Sequence, residues 1–156
     1  MAHSLRAVAL DFVDSAPLRL VFTTEAASPP DAVFRGLTDV PGWPEWFGAV
    51  AYARPTDGGK GREIRLKGGV RFQETIMAAE PSERYAYRID HTNAPGLHAL
   101  LEEWRLSPSG TGTRIRYTFA VDGTAVLRTA LRLGRPGLGH AFRSAVRALD
   151  RRVQAG

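Results

Sequence analysis

Two periodicities divide the chain. From Leu18 to Val121 apolar and polar residues alternate with a period of two, whereas Leu138, Phe142, Ala145, Val146, Leu149 and Val153 recur at three- and four-residue spacing. The first pattern belongs to half-buried strands and the second to one apolar stripe on one helix. Strands are predicted at Leu18–Ala26, Val50–Arg54, Gly61–Leu66, Val70–Ala78, Arg84–Asp90, His98–Leu106 and Thr113–Val121. The expected fold is α+β: a curved antiparallel sheet of about seven strands wrapped around a long C-terminal helix. Residues 17–156 read as a single domain, and residues 1–16 as an N-terminal arm in which Val8, Leu10 and Phe12 alternate as in an additional strand.

Punctuation interrupts the alternation at two places. Ser28-Pro29-Pro30-Asp31 sets an N-cap serine before proline at the first helical position, with Asp31 suited to a capping box and to the helix dipole. A short helix burying Val33, Phe34 and Leu37 is expected there. Pro41, Gly42 and Pro44 end it, so Trp43-Pro44-Glu45-Trp46-Phe47 forms a separate turn or very short helix. Further on, Asp57-Gly58-Gly59, Gly68-Gly69, Pro81-Ser82, Asn93-Ala94-Pro95-Gly96 and Pro108-Ser109-Gly110 are turn sequences that join antiparallel neighbours. Gly134-Arg135-Pro136-Gly137 predicts a break before the main helix, which resumes near Pro136.

Composition narrows the function classes. The chain has no cysteine, and His3, His91, His98 and His140 show no close metal-ligand spacing, so neither a disulfide framework nor a metal site is expected. No cofactor motif is present, and no apolar run approaches the roughly 20 residues of a membrane span. The first ten residues lack the apolar core of a secretory signal, and a cytoplasmic location is the expectation. The net charge of +5 is spread along the chain rather than clustered, so nucleic acid is not an expected partner. Arg143, Arg147 and Arg151 gather with His140 on the helix face opposite the stripe, either as a solvated face or as a contact for an anionic surface.

Strand parity identifies the side chains that face the helix. The inward set is Leu18, Leu20, Phe22, Ile64, Leu66, Val70, Phe72, Ile76, Tyr85, Tyr87, Ile89, Leu100, Trp104, Leu106, Ile115, Tyr117, Phe119 and Val121. Arg62, Glu74, Glu102 and His98 share that parity but are polar. Short turns set the expected register: Leu66 opposite Val70, Ala78 opposite Glu83, His91 opposite His98 and Leu106 opposite Thr113. These pairings place Arg62, Glu74, Tyr87, Glu102 and Tyr117 in a row across five strands. Such a row is a belt that orients the polar end of an apolar ligand, an acid/base set, or a self-satisfied hydrogen-bonded network in which Arg62 pairs with Glu74.

The order of strand, two short helices, six antiparallel strands and a long terminal helix resembles the helix-grip fold of the START and Bet v 1-like superfamily. Ser28 to Phe34, Leu37-Thr38-Asp39, Trp43 to Phe47, Glu74, Glu80-Pro81 and Gly112-Thr113-Arg114 are similar to its polyketide cyclase/dehydrase and lipid-transport branch. The resemblance implies a cavity between sheet and helix, and the fold carries binding proteins and enzymes alike. Two functions remain open. One is binding of a lipid, polyketide or isoprenoid-like molecule, with Phe72, Glu74, Tyr85, Tyr87, Leu100, Glu102, Trp104, Tyr117, Phe119, Leu138, Phe142, Ala145 and Leu149 as contacts. The other is a polyketide cyclase or dehydratase in which Glu74 or Glu102 removes a proton and Arg62 or a tyrosine stabilises the enolate.

Overall fold

In the computed structural model, which describes residues 1–156, the period-two stretch forms one antiparallel sheet. Its strands are β1 (His3–Ser4), β2 (Leu18–Ala26), β3 (Val50–Thr56), β4 (Gly61–Leu66), β5 (Arg71–Glu80), β6 (Arg84–Thr92), β7 (Leu97–Ser109) and β8 (Gly112–Gly123). They lie in the order β2-β8-β7-β6-β5-β4-β3, with β1 paired to β6 off this path. The helices are α1 (Phe12–Ser15), α2 (Pro30–Thr38), α3 (Ala125–Leu133) and α4 (Arg135–Ala155), and a 3-10 turn spans Val40–Glu45. This is the α+β helix-grip arrangement. Leu18, Leu20, Ile64, Tyr87, Ile89, Trp104, Ile115 and Val121 from the sheet share one core with Phe142, Ala145, Val146 and Leu149 of α4. No helix is long and apolar enough to cross a membrane.

Gly36 lets α2 lie close on the C-terminal half of α4. A β-carbon there would come within 2.6 Å of Leu149 Cδ1 and 2.9 Å of Val153 Cγ1. The cap of α2 differs from expectation. Pro29 is the N-cap residue, and the Ser28 hydroxyl does not cap the helix but donates to Asp150 Oδ1 at 2.6 Å. Asp150 also accepts the backbone N–H groups of Ala27 and Ser28. A carboxylate on α4 therefore ties down the residues before the helix rather than its first turn, where the Ala32 and Val33 N–H groups donate to the Pro29 carbonyl. Between α3 and α4 the chain breaks at Gly134 (φ −81°, ψ 0°), and Pro136 falls in the first turn of α4, where proline is tolerated.

The N-terminal arm departs from its alternating pattern. His3 pairs with Thr92 and Ser4 with His91, then Leu5 N–H donates to the Asp90 carbonyl and Arg6 N–H to the His98 carbonyl. The arm thus enters between the end of β6 and the start of β7, so the expected pairing of His91 with His98 is not made. Val8, Phe12 and Val13 are not strand residues. They pack with helix α1 on the outer face of the sheet over Ala99, Leu101 and Ala120, giving β7 an apolar covering on both faces.

Candidate functional site

The hairpin of β4 and β5 puts Arg62 directly opposite Glu74, and Arg62 Nε donates to Glu74 Oε1. Both side chains are 1% exposed. The guanidinium carbon lies 4.1 Å from the centroid of Trp43 and 3.8 Å from that of Tyr87, two cation–π contacts in a desolvated site made by rings at 82° to each other. Arg62 Nη1 also reaches Tyr85 Oη at 3.5 Å. On the neighbouring strands Tyr87 stands opposite Glu102 and its hydroxyl donates to Glu102 Oε1 at 2.9 Å. The Tyr117 hydroxyl donates to the same oxygen, and Trp104 Nε1–H donates to Tyr87 Oη at 3.1 Å. Tyr87 is the hinge of the site: its face holds Arg62 and its hydroxyl holds Glu102.

The five residues of the predicted row are brought together, but two of the predicted pairings are not formed. Glu74 faces Ile89 rather than Tyr87, because the β5–β6 hairpin turns over Pro81-Ser82-Glu83 and bulges near Gln73/Glu74 and Ile76/Ala78. Glu102 faces Phe119 rather than Tyr117, which stands opposite Trp104, because β7 runs on through Pro108 and the turn falls after Ser109. Both departures keep the residues on the predicted face, so Tyr117 reaches Glu102 along the diagonal. His98 is a different case. An irregularity between Leu97 and Ala99 shifts the pleat, and His98 is exposed instead of facing inward.

Burial governs the charges. Desolvation pushes the Glu74 carboxyl up to about 7, with Glu102 adding to the shift and Arg62 opposing it. Desolvation also raises Glu102, against the hydrogen bonds from Tyr117 and Tyr87 that favour its ionised form. Arg62 responds unequally to the same pairing: burial works against its charge, yet Glu74 and the surrounding phenols hold it firmly cationic. The direction that both partners support is a permanent cation beside carboxyl groups that ionise reluctantly. Tyr87 and Tyr117 are raised well above the ordinary phenol range, first by desolvation and then by Glu102.

This polar cluster forms one end of a cavity of about 240 Å³ between the sheet and α4. Phe72, Glu74, Tyr87, Glu102, Tyr117, Phe119, Leu138 and Phe142 line it, together with Phe22, Trp43, Phe47, Ala49, Val50, Arg62, Ile64, Leu66 and Ala141. Arg62, Glu74 and Glu102 are its only charged residues. A larger groove of about 510 Å³ lies on the outer sheet face beside α1, but its lining is mostly charged and open to solvent. No group of three His, Cys, Asp or Glu is placed to hold a metal ion.

Five residues expected among the contacts do not line the cavity. Ala145 and Leu149 lie on the part of the stripe that α2 covers through Gly36. Trp104 is walled off by Trp43, Trp46, Tyr117 and Phe142, with ring centroids 4.8–6.0 Å away. Tyr85 sits behind Arg62, and Leu100 is 1% exposed in the core. Phe22, Ile64 and Leu66 do line it and follow from strand parity alone. Trp43, Phe47, Ala49 and Val50 were missed as lining residues because they come from the proline-rich turn and the start of β3, where no periodicity assigns a face. Ala141 lies beside the apolar stripe rather than on it.

Known proteins place this geometry. A model of the family described as polyketide cyclase / dehydrase and lipid transport matches residues 17–154. An uncharacterized protein of Mycobacterium tuberculosis is 30% identical over 153 residues, covering 95% of this chain and 92% of that protein. Among solved structures, XoxI from Bacillus cereus superposes with a TM-score of 0.72 at 14% identity, over 87% of this chain and 95% of that one. A START superfamily protein from Mycobacterium smegmatis gives 0.68 at 11% identity, over 88% and 97%. With the family pattern running across the sheet, the cavity and α4 alike, the chain belongs to the polyketide cyclase / dehydrase and lipid transport family.

Proposed function

We propose that the protein binds one apolar small molecule, of lipid, polyketide or isoprenoid-like character, in the cavity between the sheet and α4. The carrying observation is the make-up of that cavity: an apolar cup whose charged residues are confined to the cluster of Arg62, Glu74 and Glu102. Concave apolar sites with a few convergent polar groups suit such ligands. Phe72, Phe119, Leu138 and Phe142 would hold the apolar body and Glu74, Tyr87, Glu102 and Tyr117 the polar end. The lipid-transport description of the family agrees with this reading.

Titration with N-phenyl-1-naphthylamine, an uncharged apolar fluorophore, tests it. Binding with a stoichiometry of one and a raised melting temperature is expected, as linkage requires of a ligand of the native state. Ala141→Trp fills the cavity from α4 and abolishes binding in a folded protein. Unchanged affinity in that variant removes the cavity as the binding site.

The second reading, a cyclase or dehydratase, draws on Glu74, whose carboxyl titrates near neutrality, where proton transfer is most effective. Against it, Glu74 is tied to Arg62 and its side chain is 1% exposed. A family-type polyketide substrate that is turned over by the protein, and turned over about 100- to 10,000-fold more slowly by Glu74→Gln, would favour the enzyme.

A further inference from the structure

The hydrogen-bond account of the cavity selects a chemical class of ligand, an inference that rests on the binding function proposed above. The neutral donors around the polar end are used internally: Tyr87 and Tyr117 both donate to Glu102 Oε1, Trp104 Nε1–H donates to Tyr87 Oη, and Trp43 Nε1–H donates to the Leu37 carbonyl. Arg62, the one cation, donates from Nε to Glu74 and from Nη1 to Tyr85, lies against the rings of Trp43 and Tyr87, and is 1% exposed. Glu102 differs. Its residue is 8% exposed and lines the cavity, and Oε2 receives no hydrogen bond from the protein. Trp46 Nε1 is the only fully buried side-chain polar atom without a partner, so Oε2 keeps its surface toward the cavity. Two carboxyl groups face one cation there, with Asp90 as a further acid acting on Glu74.

We infer that the cavity accepts apolar molecules whose buried end is a hydrogen-bond donor, a hydroxyl or a protonated amine, and rejects those that end in a carboxylate, with Glu102 Oε2 as the accepting atom. A hydroxyl or ammonium satisfies Oε2 and leaves every internal bond intact. A carboxylate meets an acceptor of its own sign in a water-poor site, and the donor left there, Arg62 Nη2, belongs to a guanidinium already paired with Glu74, a penalty that acts against the wrong ligand rather than for the right one.

The test is competition at pH 7 between N-phenyl-1-naphthylamine bound to the full-length protein and three ligands of equal chain length: decanol, decylamine and decanoate. Decanol or decylamine is expected to displace the probe at concentrations at least about tenfold lower than decanoate, equivalent to about 1.4 kcal/mol. A lead for decylamine assigns an amine and a lead for decanol assigns a hydroxyl; either supports the donor rule. In Glu102→Gln, which offers a donor of its own, the disadvantage of decanoate should shrink and any advantage of decylamine should vanish. Decanoate that competes as well as decanol overturns the inference while the binding function stands, and a probe that does not bind at all overturns both. The ranking in the unsubstituted protein decides by itself, so a misfolded Glu102→Gln gives the inference no shelter.

Discussion

Arg62 stands opposite Glu74 on adjacent strands with its guanidinium against the rings of Trp43 and Tyr87, 4.1 and 3.8 Å from their centroids. Both side chains are 1% exposed, so the two depend on each other more than on solvent. Removing one partner of such a pair leaves an uncompensated charge and typically costs about 3–5 kcal/mol. Arg62→Ala is expected to lose that much in urea unfolding at pH 8. The loss should be smaller at pH 5, where Glu74 holds its proton in parent and variant alike and no bare carboxylate is stranded. An equal loss at both pH values would mean that Glu74 is neutral throughout.

Glu74 itself gives stability a slope with pH. Its folded-state value is about 7 against 4.5 for the free group, so between these values the folded protein binds more protons than the unfolded chain. Stability on its account is greatest below the unfolded value, falls as pH rises through the window, and is lowest above about 7. At 1.36 kcal/mol per pH unit the change amounts to about 3 kcal/mol. Glu102 is raised as well and adds to the fall. Urea unfolding at pH 5 and pH 8 should therefore show the protein more stable at the lower pH, and Glu74→Gln should flatten the difference even as it lowers stability overall by leaving Arg62 unpaired. A slope that Glu74→Gln leaves unchanged would assign the titration to Glu102.

What could be read from the sequence, and what could not, divides along a physical line. Side-chain parity was legible because a strand has a period of two whatever its partners do: Ile64, Tyr87, Trp104 and Ile115 all lie in the core on the predicted side. The Arg62–Glu74 pair was legible because the tight turn at Gly68-Gly69 fixes its hairpin. Pairings across β5–β6 and β7–β8 were displaced because bulges and a strand running through Pro108 carry no local signature. The Asp150 bonds to Ser28 join positions 122 residues apart, and the placement of Trp43 on Arg62 comes from a turn, so neither has a periodic signal. Resemblance to the family supplied the helix-grip arrangement, and the lining of the cavity required coordinates.

Asp150 should behave oppositely to Glu74. It accepts four hydrogen bonds, from Ala27 N, Ser28 N, the Ser28 hydroxyl and Gln154 Nε2. Burial works to raise its pKa, but these bonds outweigh it and lower the value. Its contribution is present above the unfolded carboxyl value and is lost as pH falls through the folded one. Asp150→Ala is expected to destabilise by about 1–3 kcal/mol at pH 7, and the deficit should narrow below about pH 4. Since α2 packs on α4 through Gly36, loosened proteolytic protection around Ala27–Pro30 should accompany the loss. A variant as stable as the parent at pH 7 would make the carboxylate a surface ornament of α4.

The N-terminal arm separates stability from binding. Val8, Phe12 and Val13 are 8%, 7% and 5% exposed and cover Ala99, Leu101 and Ala120 on the outer sheet face, whereas every residue that lines the cavity falls between Phe22 and Phe142. At about 1.5–3 kcal/mol per buried large side chain, deleting residues 2–16 should cost several kcal/mol, seen as a lower urea midpoint and a lower melting temperature. The strands that carry Arg62, Glu74, Tyr87, Glu102 and Tyr117 keep their inner core, so the truncated protein, measured where it is still folded, should bind N-phenyl-1-naphthylamine with the affinity of the full chain. Weaker binding at unchanged folded fraction would mean that the arm sets the geometry of β6 and β7 at Tyr87 and Glu102 through its bonds to Asp90 and His98, and the arm would then have to be counted with the site.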